Sequence, residues 1–187
     1  MQGYWQNEQA TAQALSPDGW LGTGDIAEIR NGSIFITGRL KEILVLSTGE
    51  HVAPSAVEAA IQNDPLFEQV CVIGDRRPSV VAILVLNREG WLLLGRELAI
   101  DPADLNVPVA TDAILARISA QTRSLSAIWQ VRAILATTTP WTIGDGSLTP
   151  TLKVKRRVIE ARFREQIDSL YGRIAQQRQS VAARHRG

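Results

Sequence analysis

The sequence is poor in the residues that build disulfide frameworks and zinc sites. Its 187 residues include one cysteine, Cys71, and two histidines, His51 and His185. A single thiol excludes a disulfide framework and indicates a reducing compartment. The two histidines are far apart and have no second ligand at metal spacing, so we predict no metal site. Cys71 stands within the apolar run QVCVIGD, which predicts a small buried hydrophobic side chain.

Strong net charge and long apolar runs are also missing. The chain carries 20 Lys and Arg against 19 Asp and Glu, a balance that is unsuited to coating nucleic acid or an anionic membrane. No apolar run reaches the roughly 20 residues that cross a bilayer. The start, MQGYWQNEQATAQAL, has no basic-then-apolar signal pattern. We therefore expect a cytoplasmic protein with no transmembrane segment and no nucleic-acid partner, and peripheral contact with a membrane stays open.

The first regular pattern is a β-hairpin. The stretch DIAEIRNGSIFITGR alternates apolar and polar residues on both sides of Asn31-Gly32. Asn-Gly favours a type I′ turn, because both central residues of that turn need positive φ. We predict strands at Asp25–Arg30 and Ser33–Thr37. Two strands alone are marginally stable in water, so the hairpin needs a larger sheet that this chain hardly supplies.

After Leu40 the pattern changes to mixed helices and strands. We predict, in order, a strand in EILVLS, a turn in TGEHVAP, a helix in PSAVEAAIQND, strands in FEQVCVIGD and SVVAILVLN, helices in REGWLLLGRELAI and VATDAILARISAQTRSL, a strand in VRAILATT, and a last helix from about Val154 to Ile174. This order is typical of an α+β domain with two or three layers. We place the domain boundary between residues 1–40 and 41–187.

Common catalytic and nucleotide-binding motifs are absent. GTGDIAEI is no dinucleotide loop, because such a loop follows a strand and opens a helix, whereas this one leads into a strand. No phosphate-binding GxxxxGK[ST] and no Ser/His/Asp set can be found. Four polar stretches remain, each of which alone has an ordinary structural explanation: Thr23-Gly24-Asp25, Gly38-Arg39, Thr48-Gly49-Glu50 and Lys153.

Taken together and in order, these stretches resemble a known family. GYW…DGWLGTGDIAEI…ITGRLKEILVLSTGEHVAPSAVE…LTPTLKVKRR closely resembles the C-terminal part of the adenylate-forming acyl-CoA synthetases. The form LTPTLKVKR is similar to the long-chain fatty acid branch in particular. The resemblance extends from Met1 to about Tyr171. It implies a small mobile C-terminal α+β domain, preceded by a hairpin remnant of the large domain.

The resemblance also implies an activity, that of an AMP-dependent acid–CoA ligase. Such a ligase uses ATP to convert a carboxylate into an acyl-adenylate and pyrophosphate, and then passes the acyl group to coenzyme A. Lys153 aligns with the catalytic lysine that bridges the carboxylate and the α-phosphate. A cation at that point offsets the repulsion of two approaching anions. We expect Lys155, Arg156 and Arg157 to form an exposed helix face.

Five further residues acquire roles from the same resemblance. Asp25 is implied to bind the ribose hydroxyls of the nucleotide, since a carboxylate accepts two hydrogen bonds from a diol. Arg39 is implied to approach the ribose and phosphate. Lys41 matches the hinge of the mobile domain. Thr48 and Gly49 match a turn that faces coenzyme A, where glycine lets backbone approach a thin ligand.

The phosphate loop, the acyl tunnel and the acidic magnesium ligand of that family precede the first residue of this sequence. ATP with Mg, coenzyme A and a fatty acid are therefore the implied cofactors and substrate of an intact enzyme, and this segment alone is expected to be inactive. His51 departs from the lysine or arginine of many relatives. The acyl chain length is not encoded here. Two alternatives stay open: a free-standing non-enzymatic binding module, and nucleic-acid binding by the basic C-terminal helix.

Overall fold

The computed structural model describes residues 1–184, so the last three residues of the predicted C-terminal domain, with His185, lie outside the described residues. The chain separates into two compact units, Met1–Ile43 and a second that begins at Leu44.

The first unit contains one helix and the predicted hairpin. Helix α1, Glu8–Ala14, was not predicted, and its N-cap Asn7 accepts a hydrogen bond from the Ala10 N–H at 2.9 Å. Strands β1, Asp25–Arg30, and β2, Ser33–Arg39, pair antiparallel. The turn has φ of 50° at Asn31 and 78° at Gly32, which confirms the Asn-Gly prediction. A short 3-10 helix, Leu40–Glu42, follows.

A three-stranded sheet forms the centre of the second unit. It consists of β5, Phe67–Ile73, β6, Val81–Leu86, and β7, Ile134–Thr137, in the order β5-β6-β7. β5 and β6 are antiparallel, whereas β6 and β7 are parallel, and a parallel pair needs a long crossover. Before this sheet, β3, Leu44–Val45, pairs with β4, His51–Val52.

Helices cover both faces of this sheet. They are α2, Pro54–Ile61, α3, Arg88–Glu97, α4, Pro108–Thr122, α5, Arg156–Arg162, and α6, Arg164–Arg184. One buried cluster joins α2, α3 and α4 to the sheet, and a second joins α5 and α6 to the other face. Every residue of β6 is buried, as expected for a strand covered on both sides. The α+β prediction is confirmed, and the layers number three.

Side chains satisfy backbone groups along two strands of the sheet. Asn106 donates to the Ala136 carbonyl of β7 at 2.9 Å and accepts the Ala136 N–H at 2.8 Å. In β5, the Glu58 carboxylate accepts the Val72 N–H at 2.8 Å, and Arg156 donates to the Val72 carbonyl at 2.6 Å. Because these backbone groups already have hydrogen-bond partners, they are not available to pair with another strand.

The predicted last helix is wrong at its start, in its continuity and at its end, since α6 continues past Ile174 to Arg184. Val154 forms an isolated antiparallel bridge with Leu148, which keeps it extended, so α5 begins only at Arg156. Phe163, with non-helical backbone angles, separates α5 from α6. The strand predicted in EILVLS is only two residues long, and the turn predicted in TGEHVAP contains β4.

Candidate functional site

Lys153 lies at the end of a tight loop rather than at the start of a helix. The bridge between Leu148 and Val154 closes this loop. Thr149 N–H donates to the Lys153 carbonyl at 2.8 Å, and Lys153 N–H donates to Thr149 Oγ1 at 3.0 Å. The Lys153 side chain is exposed. A fixed backbone therefore carries a solvent-accessible amine.

Leu152 has an unusual backbone conformation beside this lysine. Its φ is 61°, and a leucine in the left-handed region costs about 1 kcal/mol or more. Its side chain is 69% exposed, so no burial of Leu152 compensates for the strain. Leu152 has this conformation within a hydrogen-bonded turn, in which its N–H donates to the Thr149 carbonyl at 2.9 Å.

The segment that leads into the loop is held by side chains. The Gln69 amide accepts the Trp141 N–H at 2.7 Å and donates to the Trp141 carbonyl at 3.0 Å. Asp145 Oδ1 accepts the N–H groups of Ser147 at 2.9 Å and Thr142 at 3.2 Å. The hydrogen bond from the Ser147 backbone, together with that from Arg162, holds the pKa of Asp145 well below its ordinary value.

Arg156 contradicts the prediction of an exposed basic face. Its guanidinium donates to both oxygens of Glu58, with Nη2 at 3.2 Å from Oε2, and its Nη1 lies 3.6 Å from Cys71 Sγ. The two charged side chains are only 23% and 17% exposed. Sequence reasoning missed this pair, although one signal was available: Arg156 stands three positions before the buried Ile159, on the same helix face. Lys155 and Arg157 are exposed, as predicted.

In the first unit, Asp25 and Arg39 are brought together by the hairpin. They are register partners of β1 and β2, and Arg39 Nε lies 3.2 Å from Asp25 Oδ1. The Asp25 side chain is 26% exposed and that of Arg39 is 61% exposed. Asp25 N–H donates to Thr23 Oγ1 at 3.1 Å, and Leu40 N–H donates to the Gly24 carbonyl at 2.8 Å. A carboxylate and a guanidinium thus lie side by side at the open end of the hairpin.

Thr48 and Gly49 lie in the exposed turn between β3 and β4. Gly49 N–H donates to the Leu46 carbonyl at 2.9 Å, and Thr48 Oγ1 donates to Glu50 Oε2 at 2.9 Å. Gly49 has φ of 87°, yet a Cβ built there would meet nothing within 4 Å. The glycine is needed for its backbone conformation, and the space beside it is open. Lys41 is exposed within the 3-10 helix of the first unit.

The predicted site residues therefore divide between the two units. Asp25, Arg39 and Lys41 belong to the first, and Thr48, Gly49 and Lys153 to the second. Among residues 1–184, no three His, Cys, Asp or Glu side chains cluster in a way that could hold a metal ion. Over the same residues, no helix combines the length and apolar character that crossing a membrane requires.

Comparison with known proteins gives consistent matches. Residues 41–175 match the family model described as the AMP-binding enzyme C-terminal domain. The chain is similar to long-chain-fatty-acid–CoA ligase FadD15 of Mycobacterium tuberculosis, with 36% identity in an alignment 181 positions long that covers 91% of this chain and 29% of that protein. It is also similar to long-chain-fatty-acid–CoA ligase 1 of Cavia porcellus, with 33% identity, covering 92% of this chain and 26% of that protein.

A solved structure extends the comparison to three dimensions. The adenylation domain of a carboxylic acid reductase from Segniliparus rugosus, in complex with AMP and a co-purified carboxylic acid, superposes with a TM-score of 0.75 at 28% identity. The match covers 92% of this chain and 26% of that one. The chain thus spans less than a third of the length of each of these proteins.

Proposed function

The chain belongs to the AMP-binding enzyme C-terminal domain family, and we propose that it supplies the C-terminal part of an AMP-forming fatty acyl-CoA ligase. Residues 1–40 would then be the end of the large domain, and residues 41–187 the mobile domain. The start of the family match at residue 41 and the end of the first unit at Ile43 support this division. The relatives that are named long-chain-fatty-acid–CoA ligases support the acyl substrate class.

Lys153 is the catalytic residue of this proposal. The observation that carries it is an exposed lysine on a loop whose backbone is fixed at Thr149. An ammonium group held there would offset the repulsion between a substrate carboxylate and the α-phosphate of ATP. Its contribution would grow as negative charge develops on the oxygens in the transition state. Because the backbone is already ordered, the entropy lost when the amine engages is mainly that of the lysine side chain, about 2 kcal/mol.

Asp25 and Arg39 would bind the nucleotide. A carboxylate can accept two hydrogen bonds from the ribose hydroxyls, and the guanidinium beside it would approach the ribose and phosphate. Their 3.2 Å ion pair keeps acceptor and cation together, which fits a ligand that carries a diol next to an anion. ATP supplies the electrophilic phosphorus when it is bound. We assign no magnesium ligand to this chain.

Thr48, Gly49 and Lys41 complete the proposal. The exposed Thr48-Gly49 turn, with open space at the glycine, would face coenzyme A. Lys41 would be the hinge residue, and its place in a three-residue 3-10 helix supports that role, because hinges are short segments at element ends. A cytoplasmic location remains part of the proposal.

A chimeric ligase tests the role of Lys153. The chain would replace the matching C-terminal part of M. tuberculosis FadD15, and two half-reactions would be measured: pyrophosphate release with ATP and fatty acid, and thioester formation from supplied acyl-adenylate. We expect Lys153→Ala to slow the first by about 10²–10³-fold, as for loss of one charge-stabilising group, and to spare the second. Lys155→Ala is the matched control, since Lys155 is also exposed and only two residues away.

Two results with the chimera would contradict the proposed role of Lys153. If Lys153→Ala slows both half-reactions equally, the lysine supports the fold rather than the chemistry. If Lys155→Ala abolishes pyrophosphate release and Lys153→Ala does not, the catalytic lysine is Lys155.

A further inference from the structure

Arg156, three positions after the proposed catalytic lysine, belongs to a partly buried ion pair. Arg156, the first residue of α5, donates to both oxygens of Glu58 on α2 and to the carbonyl of Val72 on β5. Glu58 in turn accepts the Val72 N–H at 2.8 Å. The guanidinium and carboxylate therefore bind each other and one residue of the sheet at the same time. This closed set of hydrogen bonds connects α2, β5 and α5.

The Glu58–Arg156 pair lies where the loop that carries Lys153 ends and α5 begins. Two residues, Val154 and Lys155, separate Lys153 from Arg156, and hydrogen bonds fix both of them. Lys155 N–H donates to the Ser147 carbonyl at 2.8 Å, and Val154 bridges to Leu148. The position of Arg156 therefore sets where the closed loop ends relative to the sheet.

A second arginine of α5 holds the other side of the loop. Arg162 Nη1 donates to Asp145 Oδ2 at 3.0 Å, and its Nη2 donates to the Asp145 carbonyl at 3.2 Å. Asp145 organises the turn that begins at Thr142. Helix α5 thus holds the loop from both ends, and it is itself attached to the sheet through Arg156.

Partial burial makes this arrangement specific rather than strongly stabilising. A buried ion pair often adds little net stability, because the loss of hydration offsets the attraction. A guanidinium that binds a carboxylate through two nitrogens does fix geometry, however. The network forms only when four groups are placed correctly relative to one another: the two charged groups and the N–H and carbonyl of Val72.

We propose that the Glu58–Arg156 pair is a positioning device for Lys153, holding the loop that carries the lysine in a single orientation on the sheet. The effect of this pair on catalysis rests on the proposed function of Lys153. Glu58 and Arg156 are positioning residues that contact neither substrate nor cofactor in this proposal.

The chain contains a matched control pair. Asp64, which follows α2, binds Arg117 of α4 through two hydrogen bonds of 2.8 Å each. The Asp64 side chain is 6% exposed. This pair resembles the first in chemistry and in its attachment to α2, but it binds α4, which belongs to the layer on the other side of the sheet from α5. Loss of either pair should lower stability, and only loss of the first should affect the loop.

The first experiment measures loop order in the 187-residue chain. Backbone ¹⁵N relaxation would be recorded for Thr149, Leu152 and Lys153 in Glu58→Gln, Arg156→Lys and Asp64→Asn. We expect order parameters in the loop to fall from about 0.85 to below about 0.6 in the first two variants and to stay unchanged in the third. Arg156→Lys is informative because lysine keeps the charge but lacks the planar fork.

Chemical unfolding of the same variants separates positioning from stability. Glu58→Gln and Asp64→Asn should each remain folded, with comparable losses of unfolding free energy. An ordered loop in both Glu58→Gln and Arg156→Lys, or equal loosening in Asp64→Asn, would overturn the proposal.

The chimeric ligase supplies the catalytic readout. Glu58→Gln should lower the turnover number for pyrophosphate release by up to about 10²-fold, the effect of a small misplacement of a catalytic group, with KM for ATP and thioester formation little changed. An unchanged turnover number, in a chimera that Lys153→Ala inactivates, would contradict the positioning role. If Lys153→Ala leaves the chimera active, the proposed function fails, and the relaxation data alone then decide whether the pair orders the loop.

Discussion

Thr149 binds the backbone of Lys153 at both of its polar groups: its N–H donates to the Lys153 carbonyl at 2.8 Å, and its side-chain oxygen accepts the Lys153 N–H at 3.0 Å. Thr149→Val keeps the side-chain shape and removes the acceptor. We expect the Lys153 amide to exchange with solvent about five- to tenfold faster, which corresponds to the loss of one hydrogen bond of about 1 kcal/mol. Hydrogen exchange followed by NMR measures this change.

Two controls accompany the Thr149 variant. Thr149→Ser retains the acceptor and should restore slow exchange. Thr151→Val removes a hydroxyl that contacts Thr149 Oγ1 at 3.0 Å and should leave the Lys153 amide protected. Equal exchange rates in Thr149→Val and the unaltered chain would show that the backbone bond alone holds the turn.

Asp64 makes stability depend on pH in the acid range. Burial by itself raises the pKa of Asp64, but the hydrogen bonds from Arg117 and from the Leu66 N–H outweigh it, so the pKa lies below the ordinary value of 3.8. The carboxylate therefore stabilises the fold fully above pH 3.8, and this contribution is lost as the pH falls through the lowered folded-state pKa. Asp64→Asn should cost about 1 kcal/mol at neutral pH, because Arg117 is partly exposed.

Urea unfolding at a series of pH values measures this effect. The difference in unfolding free energy between the unaltered chain and Asp64→Asn should be constant near neutrality and should shrink below pH 3.8. A difference that grows in acid would mean that the Asp64 pKa is raised in the folded state.

Cys71 should be unreactive in the folded chain. Burial raises the pKa of its thiol to about 12, although the nearby Arg156 charge acts in the opposite direction. Since the thiolate is the reactive form, a disulfide reagent such as 5,5′-dithiobis-(2-nitrobenzoate) should label Cys71 at pH 8 only as fast as the protein opens. The same chain in denaturant is the control and should react at once. Rapid labelling under native conditions would mean that the thiol is accessible.

The Tyr171 hydroxyl holds α6 to the sheet. It donates to the Ser79 carbonyl at 2.9 Å and lies 3.3 Å from the Ile73 carbonyl, in a buried environment. Tyr171→Phe leaves these buried acceptors without that donor, so we expect the unfolding free energy to fall by about 1–3 kcal/mol. Tyr4→Phe is the matched control because Tyr4 is 53% exposed, and it should be close to neutral. Equal effects of both substitutions would contradict the role of the hydroxyl.

Local patterns predicted many of the elements correctly. Asn31-Gly32 located the hairpin turn because type I′ geometry depends on two adjacent residues. Pro54 marked the start of α2, and the buried Val57 and Ile61 lie on its predicted apolar stripe. All of β6 and the last four residues of β5 are buried. Burial on both faces of a strand leaves a continuous run of hydrophobic residues, which located both strands in the sequence.

The sequence alone therefore determined the order of the central helices and strands and the family resemblance, because both are written in neighbouring residues and in their spacing. Only the tertiary structure decided that Arg156 is partly buried in an ion pair and that Lys153 ends a closed loop. The partner of Arg156 is Glu58, 98 positions away, and no local pattern encodes a charge pair at that separation. Whether an arginine stays in water or enters the core depends on which carboxylate and which backbone carbonyl the fold brings to it.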